Sequence, residues 1–440
     1  MPPATAIRLA DQLQELGAHP RAIPWTIRFH AGHSAAAPRR DYTIFAPANR
    51  VGIRAVLSRL HNGVLMLNPA AVELDAEVED LGPLWDDLRK IHRINLVRRG
   101  EPVVWRARDV PAIDDPDLPP PEPGLAVGLD IGGTSMKAVA LRVRAEATSP
   151  SRRGDVVVAT AGSPTWPEGE RGVEGLIARA QALAREVAQG EPIGSLGIGL
   201  AAPMGVGGRV AELSTVLRDR VGDTRAFDRF AQRVAEGLCR GPVAMFNDLS
   251  NLGRYLSATG SRRMVRFQIG TSFGGCWIDS DGMVYATEMG RLIVDVSDDA
   301  PAHPYLPIRG TTRTSLSNLG LVSALEAETG ERVSRENAGR RLRALLEAGE
   351  AAGDRSLARL GHALRAAVLE VHALMPGVTQ VECGGSMLSG PAGRELPAAV
   401  GPDLPVNFVV ARQPAHDGAI AAALAPRLEA PLKGMRQVDS

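Results

Sequence analysis

An α/β fold is predicted for the chain beyond residue 124, with a separate α+β region ahead of it. Three observations lead there. From Gly124 onward, short apolar runs alternate with segments of helical spacing, which is the pattern of an α/β domain. Three of the strand-like runs adjoin glycine-rich turns, at Gly132-Gly133, within Gly270 to Gly275, and at Gly384-Gly385. Such turns let a backbone approach a ligand closely. Between the two regions, Asp114 to Gly124 reads D-D-P-D-L-P-P-P-E-P-G, too rich in proline for helix and suited to a stiff extended linker.

With 440 residues at 44% hydrophobic, the chain is long enough for two or three domains with sizeable cores. Fifty basic residues balance fifty acidic ones, so the overall charge gives no reason to expect a polyanionic partner. A local basic patch stays open. Cys239, Cys276 and Cys383 are too scattered for a disulfide framework or a metal motif, and suit a reducing compartment. No apolar run approaches the roughly 20 residues of a membrane span, and the N-terminus lacks a signal-peptide core. A soluble cytoplasmic protein with no membrane partner is expected.

Residues 1–113 form the first region. Helical spacing runs over Ile7 to Leu16, Val51 to Leu60 and Leu81 to Ile94, and Asn95 to Ala107 reads as a hairpin turning at Gly100-Glu101. A DNA-reading helix should present Arg, Lys, Ser, Thr or Asn. Leu81 to Ile94 instead sets Asp86 and Asp87 beside Arg89, Lys90 and Arg93. A structural or oligomerising role fits that mixed charge better than a nucleic-acid partner, which is not expected but stays open.

Beyond the linker, Leu125 to Leu129 is a buried strand that ends beside Asp130, and Lys137 to Val143 alternates as a second strand. Gly132 and Gly133 permit a turn whose N–H groups could meet a phosphate oxygen. Asp130, next to such a turn, is placed to hold Mg²⁺ or its waters. An ordinary hairpin with an incidental aspartate has the same sequence. Val156 to Thr160, Ser195 to Leu200, Val243 to Phe246 and Val378 to Val381 read as further strands. Helices are expected over Val173 to Ala188, Phe227 to Leu238, Leu321 to Glu328, Asn337 to Ala348 and Leu357 to Met375. Asn247-Asp248 behind a strand is either a helix cap or, with a carboxylate able to take a proton from a reacting hydroxyl, a catalytic pair.

Taken in order, these segments resemble the ROK family of repressors and sugar kinases, within the sugar kinase and actin-like ATPase superfamily. The likeness spans about residues 125 to 427 and rests on the sequence of motifs rather than on any one. Gly128 to Ala140, G-L-D-I-G-G-T-S-M-K-A-V-A, resembles the first phosphate loop, with Asp130, Gly132, Gly133, Thr134 and Lys137 as nucleotide-binding residues. Ala201 to Val210 is similar to the stretch lining the sugar pocket, which places Pro203 there, although Met204 replaces a glycine. Asn247 to Asn251 resembles the signature in which the aspartate, here Asp248, is the general base and the asparagine, Asn247, binds a sugar hydroxyl. Phe267 to Ile278 resembles the second phosphate loop, with Gly270, Thr271 and Gly274, and with Ser272 where glycine is usual. Glu288 matches a glutamate that binds sugar hydroxyls. Gly384, Gly385 and Ser386 match the adenosine-binding turn, and Asp417 to Leu424 the closing helix.

One departure stands out. The family pairs a histidine with three cysteines around a structural zinc beside the sugar. Here the histidine is Arg291, and the corresponding stretch Pro307 to Gly320 has no cysteine. Zinc needs roughly four N or S donors, so no zinc is expected. Arg291, Arg309 or Arg313 could instead meet a negatively charged substrate, or be solvated.

The resemblance implies two ribonuclease H-like lobes around a cleft, 125–246 plus 412–428 and 247–411, with ATP and Mg²⁺ bound between them. It implies phosphorylation of a hydroxyl on a hexose-like polyol, and assembly as a homo-oligomer, a dimer. The helices and hairpin of residues 1–113 also resemble a winged helix, which leaves a sugar-responsive transcriptional regulator as the alternative, and a catalytically silent scaffold as a third reading.

Overall fold

The computed structural model describes residues 9–30, 40–92, 94–101, 122–142, 156–167, 170–202, 204, 209–210, 213, 215–411 and 416–427. The expected linker up to residue 121, Pro203 with the glycines at 205, 207 and 208, and the hairpin arm beyond residue 101 lie outside these residues.

The first region runs α1 (Leu9–Gly17), β1 (Ala22–His30), β2 (Arg40–Pro47), α2 (Arg50–Leu67), β3 (Ala71–Asp75), α3 (Pro83–His92) and β4 (Asn95–Arg98). Its four strands form one sheet in the order β2-β1-β3-β4, with β3 and β4 parallel. This corrects the winged-helix expectation. Two strands precede α2, a third separates α2 from α3, and β4, the edge of the sheet among the described residues, pairs in parallel with β3. Strand β1 alternates as a half-buried strand should, with Trp25, Ile27 and Phe29 turned inward. Pro24 is tolerated because the β3 pairing begins only at Thr26, so only β2 flanks it.

The second region opens with β5 (Leu125–Ile131), β6 (Ser135–Arg142), β7 (Val156–Pro164), α4 (Val173–Ala188), β8 (Ile193–Leu200), α5 (Thr215–Val221), α6 (Phe230–Ala235) and β9 (Val243–Asn247). The single helix expected over Phe227 to Leu238 is broken. A 3₁₀ turn ends at Phe227, and α6 starts only after Arg229, whose φ of 57° is left-handed. Next come α7 (Asp248–Ala258), β10 (Met264–Ile269), β11 (Phe273–Ile278), β12 (Val284–Thr287), α8 (Thr312–Leu316), α9 (Asn318–Thr329), α10 (Ala338–Glu347), α11 (Ala351–Leu374), β13 (Gln380–Gly384), α12 (Pro391–Val400), β14 (Asn407–Val410) and α13 (Asp417–Leu424).

The strands make two sheets of one design, β7-β6-β5-β8-β9 and β12-β11-β10-β13-β14. In each, the first three strands in sequence form an antiparallel meander and the last two add in parallel to the first. This duplicated order is the ribonuclease H-like, actin-like ATPase fold. Helix α13 lies against β5, β6 and β8, while α7 lies against β11 and β12. The two helices pack on each other and so join the sheets. Gly128 and Gly197 make the α13 approach possible, because a Cβ on either would overlap the backbone of Ala419 or Ala422.

One apolar core runs from the first region into the second sheet. Trp25, Phe29, Leu57 and Leu60 belong to the same cluster as Val265, Phe267, Leu364 and Val368. Polar bonds follow the same seam. Tyr42 Oη donates to the Leu374 carbonyl at 2.6 Å, and Arg59 meets the buried Glu370 carboxylate at 2.6 Å.

Candidate functional site

A cleft of about 740 Å³ lies at the carboxyl ends of the parallel strands in both sheets, where this architecture places its ligands. Of the residues singled out in the sequence, it gathers Asp130, Gly132, Gly133, Thr134, Lys137, Asn247, Asp248, Gly270, Thr271, Gly274, Glu288, Arg291, Gly385 and Ser386. Gly384 does not line it. There the missing Cβ makes room for the guanidinium of Arg266 instead. Pro203 is outside the described residues.

The two glycine loops meet. Gly132 N–H bonds the Ser135 carbonyl at 3.1 Å, closing the turn after β5, and Gly270 N–H bonds the Ser272 carbonyl at 3.0 Å, closing the turn after β10. At their tips the hydroxyls of Thr134 and Thr271 hydrogen-bond one another. Thr165 braces the first turn by donating to the Gly132 carbonyl at 2.7 Å. Gly385, at φ 114°, lies so close to the Ile269 backbone that a Cβ would overlap it, which brings a third turn to the same end of the cleft.

Strand alternation sets Asp130 on the opposite side of β5 from Leu129 and Ile131, which are fully buried in the core. Its carboxylate enters the cleft beside Gly418, where a Cβ would stand 2.7 Å from Oδ2. Burial raises the Asp130 pKa, while Lys137, paired with it across the β5–β6 ladder, and His416 pull it down. Among the described residues no group of three or more His, Cys, Asp or Glu could cage a metal. A single recessed carboxylate is what Mg²⁺ uses when waters and phosphate oxygens complete its shell, so these residues fit Mg²⁺ held with a nucleotide.

Asp248 is the first residue of α7. Asn247 caps that helix, its Oδ1 accepting from Leu249 N–H at 3.1 Å and Ser250 N–H at 3.0 Å, while its Nδ2 donates to the Ala202 carbonyl at 3.2 Å. The cap fixes where the Asp248 side chain starts. Burial, followed by the like charges of Asp130 and Glu288, outweighs the Leu249 N–H bond and pushes Asp248 up to about 7.

At the other end of the cleft stand Glu288, Arg291, His303, Tyr305 and Arg313. Glu288 follows β12 directly, and Arg291 Nε lies 3.4 Å from its carboxylate. Arg309 points elsewhere, donating to the Ala300 carbonyl at 2.9 Å. Sequence reasoning missed His303 and Tyr305 as cleft residues. They sit in a loop of no regular pattern, and only the chain's path brings them in.

The Glu288 to Val294 segment is held by the first region. Asn62 of α2 donates to the Ile293 carbonyl at 2.8 Å and accepts from Ile293 N–H at 2.7 Å. His61 Nε2 bonds the Arg291 carbonyl at 2.9 Å, and Leu9 N–H bonds the Val294 carbonyl at 3.1 Å. A carbonyl only accepts, so His61 Nε2 carries the proton. Its Nδ1 then accepts from His92 Nε2 at 2.8 Å. Burial lowers the His61 pKa to about 4 and keeps it neutral.

No protein-family model matches the chain, and no curated protein matches it. Solved structures do. A ROK hexokinase from Thermus thermophilus is 21% identical, covering 69% of this chain and 98% of its own, with a TM-score of 0.47. A ROK family glucokinase from Streptomyces griseus, in complex with glucose and AMPPNP, is 18% identical over 69% of this chain and 99% of its own, TM-score 0.46. A ROK family transcriptional regulator, a homolog of the E. coli MLC protein, is 16% identical over 69% of this chain and 78% of its own, TM-score 0.44. The chain is similar in fold to structures of ROK-family kinases and of a ROK-family regulator.

Proposed function

We propose that the protein is an ATP-dependent kinase that phosphorylates a hydroxyl of a hexose-like polyol. The observation that carries this reading is the placement of Asp248, recessed in the cleft into which the Thr134 and Thr271 loop tips converge. The N–H groups and hydroxyls of those loops would hold the phosphates of ATP, with Gly385 and Ser386 against the nucleoside. Asp248 would accept the acceptor's proton as its oxygen bonds the γ-phosphorus and the bond from γ-phosphorus to the leaving ADP oxygen breaks. Asn247 and Glu288 would orient the acceptor. Asp130 is the residue to hold Mg²⁺, which supplies charge neutralisation along the phosphates. Closure of the two sheets about α7 and α13 would exclude water and suppress ATP hydrolysis.

The test is ATP consumption over a panel of neutral, amino and acidic polyols, with nucleotide binding measured in parallel. The reading expects acceptor-dependent ADP release that Asp248→Ala abolishes while nucleotide binding persists. Near-normal turnover in that variant overturns the assignment of the base.

A DNA-binding regulator is disfavoured by the first region itself. The inner face of α3 is consumed by Trp85, Leu88 and His92 packing inward, and Asp86 accompanies Arg89 and Lys90 on the exposed side. Retarded migration of its own upstream DNA, relieved by a sugar, would favour the regulator instead.

A further inference from the structure

The acceptor end of the cleft holds more cationic and donor groups than its own carboxylates can satisfy. Arg291 and Arg313 both line it, and the acid that acts on both is Glu288, which Arg291 already engages at 3.4 Å. Among the described residues no carboxylate lies within ion-pair distance of Arg313. Its guanidinium stands 5.4 Å from the centre of the Tyr305 ring. Burial lowers the Arg313 pKa, and the neighbouring charges of Arg291 and Arg335 push the same way. The group remains charged at any working pH, because guanidinium starts so high.

His303 lines the same end of the cleft. It is 7% exposed, and its Nδ1 accepts from the backbone N–H groups of Tyr305 and Leu306, both at 3.2 Å. Those two bonds fix the tautomer with the proton on Nε2. That Nε2–H is buried and has no partner among the described residues. A half-buried guanidinium without a carboxylate is costly when left so, and the ligand feature that satisfies it is an oxyanion.

We propose that the acceptor is an anionic polyol, whose carboxylate or phosphate is held by Arg313 with Arg291 beside it. This rests on the kinase reading and adds the charge of its substrate. Recognition of this kind discriminates strongly, since a neutral analogue leaves the guanidinium unpaired.

The experiment compares matched acceptors, a hexose with its uronic acid and with its terminal phosphate ester, in the full-length wild type and in Arg313→Gln and Arg313→Lys. Steady-state kinetics and calorimetric binding in the presence of a non-hydrolysable ATP analogue are both read. The proposal expects an anionic acceptor to exceed its neutral parent in kcat/KM by about 10- to 100-fold. The ratio of anionic to neutral kcat/KM should fall by a similar factor in Arg313→Gln, chiefly through KM, and recover in part in Arg313→Lys. The uronate and phosphate arms identify which oxyanion the site takes. Equal use of neutral and anionic acceptors, or an equal effect of Arg313→Gln on both, overturns the proposal. If neither acceptor is phosphorylated yet the anion binds in an Arg313-dependent way, the anion site stands and the kinase reading fails. Absence of anion binding overturns the site whatever the kinetics.

Discussion

Asn62 and Ile293, 231 positions apart, pair as two strands would: the carboxamide gives one hydrogen bond to the Ile293 carbonyl and takes one from its N–H. A second proton of the amide reaches Glu370 at 3.0 Å. Through this pair, α2 of the first region fixes the backbone that carries Glu288 and Arg291 into the cleft. Asn62→Ala leaves a buried N–H and a buried carbonyl unpaired, so it should destabilise the fold by about 1–3 kcal/mol in denaturant unfolding. It should also raise the acceptor KM several-fold while the nucleotide KM changes little. A nucleotide KM that rises in step would mean a general loosening instead.

Asp248→Asn keeps the shape of the side chain and removes the proposed base. Its turnover is expected to fall by about 10²–10⁴-fold, with nucleotide affinity retained by equilibrium binding.

The pH dependence follows from the same carboxyl. In the fold, the Asp248 pKa lies at about 7, so kcat/KM should rise with pH through an acid limb near that value. Stability moves the opposite way. The folded carboxyl binds its proton more tightly than the unfolded one, so its contribution is full below about pH 4 and is lost as pH rises through the folded value. Asp248→Asn cannot lose it. The gap in Tm by which the variant exceeds the wild type should therefore widen between about pH 5 and pH 8. A constant gap would remove Asp248 as the titrating group.

Gly418→Ala places a methyl group 2.7 Å from Asp130 Oδ2 and must displace the carboxylate. The Mg²⁺ concentration needed for half-maximal activity should rise by about tenfold, the scale on which disturbed metal-site surroundings act. The same variant should leave unfolding cooperative, checked by circular dichroism.

Arg266 is fully buried and ties β10 to β13 and to α13, through ion pairs with Glu382 and, at 2.8 Å, with Asp417. Arg266→Met leaves those carboxylates facing each other without a cation. The expected loss is about 3–5 kcal/mol in chemical denaturation.

Much of the second region was legible because its signals are local. The apolar run of β5, the helical spacing of α4 and the turn glycines 132, 133 and 385 each state their own conformation within a few residues. The predicted bounds of α4, Val173 to Ala188, coincide with the observed ones. Strand β1 was not among the sequence's expected elements although Trp25, Ile27 and Phe29 alternate, and its Pro24 is accommodated because β3 pairs only from Thr26 onward. Helix α12 was missed because Pro391 opens it and Pro397 lies within it.

From its order of residues alone, the chain determined an α/β architecture, two glycine turns behind strands and a strand-end aspartate, because each depends on backbone rules that act over a short span. Tertiary structure alone decided that Thr134 meets Thr271, that Asn62 braces Ile293, and that His303 and Arg313 share one wall. Those contacts join residues separated by up to a few hundred positions, and no local propensity encodes a distance. They are set by how the two sheets and the first region pack around a common core, where the last carboxylate, amide and imidazole must find partners or pay in unsatisfied hydrogen bonds.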